Sequence, residues 1–334
     1  MENLDILCYN TFVMKNLYYA TFENGYDLIV EKFIKKSDKN AFIKQIYRDA
    51  VVFFADEHFP FKNSIFYDYY LVLDYSKKVG FGALNAEIKH LMEKKGLKIN
   101  FGREVRRIRI NYQSETSKKV NIDANLKKAF EIMISKITKR QVGYFDTDAE
   151  LTMFHKKNGE CIFAKKLTST QTEFSKITSK IDMLPQKAFA LNFLSNPSEK
   201  EVSLDPFAGF GMISYVRALC FKKANVIANE QKTENITEIK LRAKKLKEKS
   251  FSVMNYDFLS DNFPIKFIDK IVTILPVVKS KQSAFFEKAY ALKVKTLVFS
   301  ASRGSDIFPI INGLFNITEE YVVGSEKIYR LDII

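Results

Sequence analysis

Short apolar runs alternate with helical segments through the C-terminal part of the chain. The runs have the length of buried strands, and the segments between them carry apolar residues at helical spacing. Strands are predicted at 201–205, 225–230, 251–254, 268–273 and 295–299, and helices at 212–221 and 233–249. Residues 314–334 have the pattern of two strands joined at 323–325. This alternation predicts a mostly parallel sheet with helices on both faces, extended by a terminal hairpin.

The middle of the chain follows a different pattern. Residues 107–110 alternate between charged and apolar side chains, as a half-buried strand does, and 125–137 carry apolar residues on one helical face. Residues 143–154 have the pattern of a loop and a strand, Asn158-Gly159 is a strong hairpin turn, and 160–167 is the returning strand.

The first hundred residues predict a further mixture of strands and helices. The strands are predicted at 17–22, 51–54 and 69–73, and the helices at 25–36 and 86–95. An α/β sandwich of ferredoxin-like type fits this mixture, and the main boundary is predicted at 195–200, which is polar and contains a proline. The predicted division is a ferredoxin-like domain at 1–100, a second α+β domain at 101–170, a connecting helix at 171–198 and a C-terminal domain at 199–334.

A tight glycine turn joins the first C-terminal strand to its helix, in the string Asp205-Pro206-Phe207-Ala208-Gly209-Phe210-Gly211. Glycines let the backbone approach a ligand closely, and the amides at the start of the helix point to the same place. Glu230 ends the second strand, close to the roughly 20-residue spacing of an acid that binds ribose hydroxyls, and Asp257 follows the third. Each residue taken singly is equally well explained as structural. Together they predict a pocket for a nucleotide or nucleoside. A dehydrogenase, which is another doubly wound nucleotide-binding protein, is one alternative for the class of protein.

The glycine string resembles motif I of class I S-adenosylmethionine-dependent methyltransferases, in particular the branch that methylates exocyclic amines of bases. The resemblance implies S-adenosylmethionine as the cofactor. The residues that it assigns to cofactor binding are Asp205, Phe207, Gly209, Gly211, Glu230 and Asp257. Asp205 and the two glycines would hold the amino acid end, Glu230 the ribose and Asp257 the adenine.

The middle segment resembles the THUMP domain, an RNA-binding module of RNA-modifying enzymes, because an Asp-x-Asp string at 146–148 enters the hairpin. Residues 184–190 resemble the helix that precedes motif I in THUMP-bearing tRNA guanosine-N2 methyltransferases. The implied fold is α/β, with a C-terminal Rossmann-like class I methyltransferase sheet preceded by an α+β ferredoxin-like/THUMP region. The implied partner is RNA, with tRNA as the favoured substrate, and the implied acceptor is the N2 amine of guanine. A small activating subunit is left open.

The loop after the fourth strand departs from this family. Base-amine methyltransferases carry Asp or Asn and then Pro-Pro-Tyr there, and these groups hold the target amine. This chain has Ile274, Leu275, Pro276 and Val277, whose side chains cannot accept a hydrogen bond. No catalytic residue is assigned, and methyl transfer is expected to be slow or absent. A non-catalytic RNA-binding relative that serves as a scaffold is the alternative, and methylation of DNA adenine is a third.

Basic residues are concentrated in the middle segment. The chain carries a net charge of +14, and 101–170 holds 15 Lys and Arg against 8 Asp and Glu. Concentrated positive charge is what a polyanion requires. The residues predicted to contact RNA are Arg103, Arg106, Arg107, Arg109, Lys139 and Arg140. A second basic cluster, on the helix around Lys244, is interpreted as a solvated face.

Other site classes have weak support in the sequence. Three cysteines and three histidines are scattered along the chain, which predicts no metal site and a reducing compartment. No apolar run has membrane-spanning length, and the first residues lack the basic and apolar regions of a signal peptide. The expected location is the cytoplasm, with no membrane partner.

Overall fold

Two β-sheets organise the chain in the computed structural model, which describes residues 15–78, 82–115, 122–168, 174, 183–221, 225–246, 251–305, 307–311 and 313–334. The described residues form an eight-stranded sheet in the N-terminal half and a seven-stranded sheet in the C-terminal half. Parts of the segments predicted above lie outside the described residues. They are the lysines Lys118 and Lys119 of the basic middle segment, residues 247–249 of the predicted helix 233–249, one of the three cysteines (Cys8), and most of 171–182 in the predicted connecting helix.

The N-terminal sheet contains strands from both predicted N-terminal domains. Its strands are β1 (Asn16–Thr21), β2 (Phe42–Ile46), β3 (Ala50–Ala55), β4 (Tyr69–Lys77), β5 (Arg107–Ser114), β6 (Gln141–Val142), β7 (Ala149–His155) and β8 (Glu160–Lys166). The order is β2-β3-β1-β4-β8-β7-β5-β6, and β4 pairs with β8 in antiparallel fashion. The division into domains at residue 100 stays a prediction, and the hydrogen-bonded sheet is continuous across it.

Three helices accompany this sheet: α1 (Asp27–Ser37), α2 (Ala83–Glu93) and α3 (Ala124–Thr138). Helix α3 begins where Asp123 accepts a 2.8 Å hydrogen bond from the Leu126 N–H, which satisfies one of the free donors of the first turn. Phe130 and Ile134 are buried on the apolar face that the sequence predicts. The predicted turn at Gly159 has φ of 86° and connects β7 to β8.

The C-terminal sheet has the parallel arrangement that the alternation predicts. Its strands are β9 (Val202–Asp205), β10 (Asn225–Asn229), β11 (Phe251–Met254), β12 (Lys270–Ile274), β13 (Thr296–Ser302), β14 (Phe315–Val323) and β15 (Glu326–Ile333). The order is β11-β10-β9-β12-β13-β15-β14, with β15 antiparallel to both of its neighbours. The chain leaves β9 toward β10 and later returns to its other side as β12, which creates a switch point beside β9.

The helices of this half are α4 (Pro185–Leu194), α5 (Met212–Cys220), α6 (Thr233–Leu246), α7 (Lys279–Ala291) and α8 (Phe308–Ile311). Helix α4 is buried along most of its length and belongs to one apolar core with residues of both sheets. The Phe33 ring of α1 lies 5.4 Å from the Phe189 ring and 5.5 Å from the Phe193 ring, measured between centroids. No helix among the described residues is both long and apolar enough to cross a membrane.

A buried ion cluster fixes the amino ends of the central strands. Glu201 precedes β9, and its carboxylate pairs with Arg217 of α5 and, at 2.7 Å, with Lys270 at the start of β12. Arg217 is 1% exposed and Glu201 is 5% exposed, so each charge depends on the other for compensation. The opposite, carboxyl ends of the same strands remain available for a site.

Candidate functional site

A cleft of about 400 Å³ lies at the carboxyl ends of β9, β10 and β12, at the switch point of the sheet. It is lined by Pro206, Phe207, Glu230, Gln231, Lys232, Tyr256, Asp257, Phe258, Leu259, Ile274, Pro276 and Lys281. Residues that are predicted to bind the cofactor therefore line the same cleft as the loop at the end of β12. This loop, residues 274–277, is called the acceptor loop below. The polar groups of the cleft come mainly from the ends of β10 and β11.

The glycine turn has the backbone conformation that its residues permit. Gly209 has φ of 55° and Gly211 has φ of 80°, in the left-handed region that side chains disfavour. A Cβ on Gly211 would lie 3.0 Å from the Cγ1 atom of Ile239 in α6, so the turn packs closely against that helix. Gly211 is also the N-cap of α5. Close packing of α5 against α6 thus requires a glycine at this position.

Glu230 links the glycine turn to the end of β10. Its Oε2 atom accepts a 2.8 Å hydrogen bond from the Gly209 N–H, and its Oε1 atom accepts one of 2.8 Å from the Lys232 N–H. The residue is 9% exposed and lines the cleft. The carboxylate is therefore held in one orientation at the floor of the cleft, and each oxygen retains a further lone pair.

Asn229, which the sequence analysis overlooked, holds three segments of the site together. Its Nδ2 group donates to the Pro206 carbonyl at 3.1 Å and to the Tyr256 carbonyl at 3.0 Å, and its Oδ1 atom accepts from the Tyr256 N–H at 3.1 Å. The side chain is 1% exposed. The signal in the sequence that could have identified this residue is an asparagine near the end of a predicted strand, directly before Glu230.

Two other predicted cofactor residues lie at different depths. Asp205 is buried, and its Oδ1 atom accepts a 2.7 Å hydrogen bond from the Thr273 hydroxyl, which ties β9 to β12. Asp257 is exposed at the rim of the cleft, where its Oδ1 atom accepts from the Leu259 N–H at 3.0 Å. Phe207 lines the cleft between these two depths. The ligand contacts assigned to these residues stay predictions.

The acceptor loop is apolar, and its backbone is engaged in holding the loop. Val277 is 91% exposed and Ile274 is 39% exposed, whereas Leu275 is buried and donates its N–H to the Ser300 carbonyl at 3.0 Å. The Pro276 carbonyl accepts a 2.6 Å hydrogen bond from the buried Gln282 side chain of α7. One of the carbonyls available to orient an amine is therefore already in use.

Five of the six predicted RNA contacts lie at or near the amino end of β5. Arg103, Arg106, Arg107 and Lys139 are exposed there, and Arg140 donates to the Gly102 carbonyl at 3.3 Å. Lys139 and Arg140 directly precede the short strand β6, which pairs with β5. Together, the five residues form a positively charged end of the N-terminal sheet.

Arg109 differs from the other five residues because it is already paired. Its Nη2 atom lies 2.6 Å from the Glu150 Oε2 atom on the neighbouring strand β7. At the end of the sheet, hydrogen bonds from the backbone N–H groups of Arg107 and Arg106 lower the pKa of the Asp148 carboxyl, and the nearby arginine charges lower it further. Arg106 and Arg107 are both exposed. The available positive charge is therefore at Arg106 and Arg107 rather than at Arg109.

No protein-family model matches the sequence, and no curated protein matches it. Solved structures match over nearly the whole chain. TrmN from Thermus thermophilus has a TM-score of 0.74 at 14% identity, with 95% of this chain and 99% of that chain covered. SMU.472, a putative methyltransferase complexed with SAH, has a TM-score of 0.70 at 11% identity, with 97% and 99% covered.

A predicted N6-adenine-specific DNA methylase from Listeria monocytogenes also matches, with a TM-score of 0.64 at 12% identity and with 95% and 96% of the two chains covered. At these identities the likeness shows the fold. The predicted fold class, a Rossmann-like sheet preceded by an α+β region, is confirmed.

Replacing Gly211 tests how tightly the turn is packed. Gly211→Ala should lower the free energy of unfolding by about 1–3 kcal/mol, because alanine is strained at φ of 80° and its Cβ would meet Ile239. Gly304→Ala is the control, since nothing lies within 4 Å of a Cβ there. Urea unfolding should separate the two variants, and equal midpoints would contradict this account of the turn.

Proposed function

We propose that this protein is an S-adenosylmethionine-dependent methyltransferase that acts on RNA. The favoured substrate is tRNA, and the acceptor is the exocyclic N2 amine of guanine. The observation that supports this proposal most is the convergence of Phe207, Glu230 and Asp257 on one cleft at the switch point of a Rossmann-like sheet, with the Gly209 N–H bound to the Glu230 carboxylate behind it. The structural likeness to SMU.472, a putative methyltransferase complexed with SAH, is in agreement.

The residues of the cleft fit such a cofactor. Glu230 is fixed by the Gly209 and Lys232 N–H groups, so its remaining lone pairs suit two ribose hydroxyls. Asp257 at the rim suits the adenine amine, and the N-terminus of α5 would hold the amino acid end. The cofactor supplies an activated methyl group, and the chain contributes orientation and exclusion of water.

RNA binding is assigned to the positively charged end of the N-terminal sheet. Phosphate contacts need cations that are not already paired, and Arg106, Arg107 and Lys139 are exposed there. The THUMP-like order of elements around this end supports RNA over DNA. Phe145 lies in the adjoining loop with 82% of its surface exposed, and aromatic rings of this kind stack on unpaired bases.

The acceptor loop supports a second candidate, a scaffold that binds RNA and cofactor without transferring the methyl group. The hydrogen bond from Gln282 to the Pro276 carbonyl favours it, because the loop offers no side-chain acceptor and one of its carbonyls is engaged. The two candidates share their binding sites and differ only in the transfer step.

Cofactor binding is tested at Glu230. Glu230→Gln should weaken binding of S-adenosylmethionine by about 1–3 kcal/mol, because an amide loses the charge-assisted hydrogen bonds and one of its ends cannot accept from a backbone N–H. Glu234→Gln, on an exposed residue of the first turn of α6, is the matched control. Calorimetry measures both variants. Absence of binding by the unmodified protein at saturating ligand would refute the cofactor assignment.

RNA binding is tested by comparing two arginines of β5. Arg107→Gln should reduce the slope of log affinity against log salt by about 1, because it removes one phosphate contact. Arg109→Gln should change the slope less, since Glu150 already compensates this charge. Filter binding of tRNA from 50 to 200 mM salt is a suitable range. Equal slopes for the two variants would place the RNA site elsewhere.

Methyl transfer is tested with tritiated S-adenosylmethionine and tRNA that lacks its modifications. We expect slow transfer, because the loss of one positioned hydrogen-bonding group costs about a hundredfold in rate. Ile274→Asp with Val277→Tyr should raise it. Leu275 is left unchanged, because a proline there would remove the hydrogen bond to Ser300.

Three results of this assay are informative. Transfer at an ordinary enzyme rate by the unmodified protein would overturn the interpretation of the loop. Transfer by neither protein, with cofactor and tRNA binding intact, would favour the scaffold. Transfer to DNA adenine in place of tRNA would favour the third alternative.

A further inference from the structure

Three potential metal ligands converge in the N-terminal half, away from the cleft. Asp74 lies on β4, and Glu87 and His90 lie on α2 three residues apart, on the helix face that packs against the sheet. One carboxylate oxygen of each acid and one ring nitrogen of the histidine lie within 4.8 Å of one another. The scattered cysteines and histidines of the sequence predict no metal site, and Asp74 is far along the chain from Glu87 and His90.

Both acids carry a buried oxygen atom that lacks a partner. Asp74 Oδ2 and Glu87 Oε1 have no hydrogen-bond partner among the described residues, and the two residues are 7% and 0% exposed. Their other oxygens are occupied, Asp74 Oδ1 by the Lys94 ammonium and Glu87 Oε2 by the Ser76 hydroxyl. A buried carboxylate oxygen without a partner is costly.

The spacing of Asp74 Oδ2 and His90 Nε2 suits a shared cation better than a direct hydrogen bond. Asp74 Oδ2 and His90 Nε2 are 3.5 Å apart, which is too long for a good hydrogen bond. Ligand atoms around a tetrahedral zinc ion lie ~3.4 Å apart, given metal–ligand distances of ~2.1 Å. The histidine side chain is 41% exposed, so solvent and an ion have a route to the three atoms.

The mixed donor set points to a class of cation. Two carboxylates and an imidazole suit Zn²⁺ and other divalent ions of the first transition row, whereas Ca²⁺ and Mg²⁺ prefer oxygen ligands throughout. Three protein ligands leave positions for water.

We propose that Asp74 Oδ2, Glu87 Oε1 and His90 Nε2 bind a divalent transition-metal cation, with Zn²⁺ as the type. The ion joins α2 to β4 and gives both carboxylate oxygens a partner. Its role is structural, because the site belongs to the N-terminal sheet and contributes no residue to the cleft. The proposal is independent of the methyltransferase assignment.

The test uses the full chain after treatment with a chelator. Titration calorimetry with Zn²⁺ should show one saturable site, and thermal unfolding should show a higher Tm when Zn²⁺ is bound. Mg²⁺ and Ca²⁺ should bind much more weakly. His90→Gln should weaken Zn²⁺ binding by about tenfold or more, because it removes the nitrogen ligand. His58→Gln, on a histidine side chain that is 86% exposed and outside the cluster, should not.

Lys94→Met gives a second, opposite readout. The Lys94 ammonium pairs with the Asp74 carboxylate, so it competes with the metal for that carboxylate. Its removal should therefore tighten Zn²⁺ binding. A zinc ion adventitiously bound elsewhere on the surface would not respond to Lys94. The proposal is overturned by the absence of saturable Zn²⁺ binding, by binding that His90→Gln leaves unchanged, or by weaker binding in Lys94→Met.

Discussion

Burial of helix α4 is the packing constraint on which the rest of the structure depends. The helix is covered by α1 on one side and by α5 and the C-terminal sheet on the other, so both halves of the chain share one apolar core. The Asn192 side chain donates to the Ile213 carbonyl at 2.9 Å, in the first turn of α5. Since α5 begins directly after Gly211, the packing of α4 also sets the position of the glycine turn at the cleft.

Much of the cleft could be predicted from the sequence because its residues lie at the ends of consecutive strands. The turn at Gly209 and Gly211 and the acid Glu230 each have a local signal, and parallel strands bring such ends together. The local sequence, however, does not indicate how deeply each of these side chains is buried. Asp205 is buried because it contacts Thr273 of a strand distant in sequence, whereas Asp257 is exposed and accepts a hydrogen bond from the nearby Leu259 N–H.

The N-terminal half was less predictable for a related reason. Alternation and helical spacing predict strands and helices one at a time, but the partner of each strand depends on long-range packing. The pairing of β4 with β8 crosses the predicted boundary at residue 100 and has no local pattern. Likewise, Arg109 belongs to a run of arginines in the sequence, and its pairing with Glu150 becomes visible only when β5 and β7 are aligned.

The pairing of β4 with β8 also has a consequence for the order in which the protein is made. On the ribosome β4 emerges well before β8, because α2, β5, α3, β6 and β7 lie between them in the chain. Until β8 arrives, β4 pairs with β1 on one side and presents unpaired N–H and C=O groups on the other. Contacts so distant in sequence form slowly, and an open edge invites association with other chains. During synthesis, we therefore expect aggregation to compete with completion of the sheet.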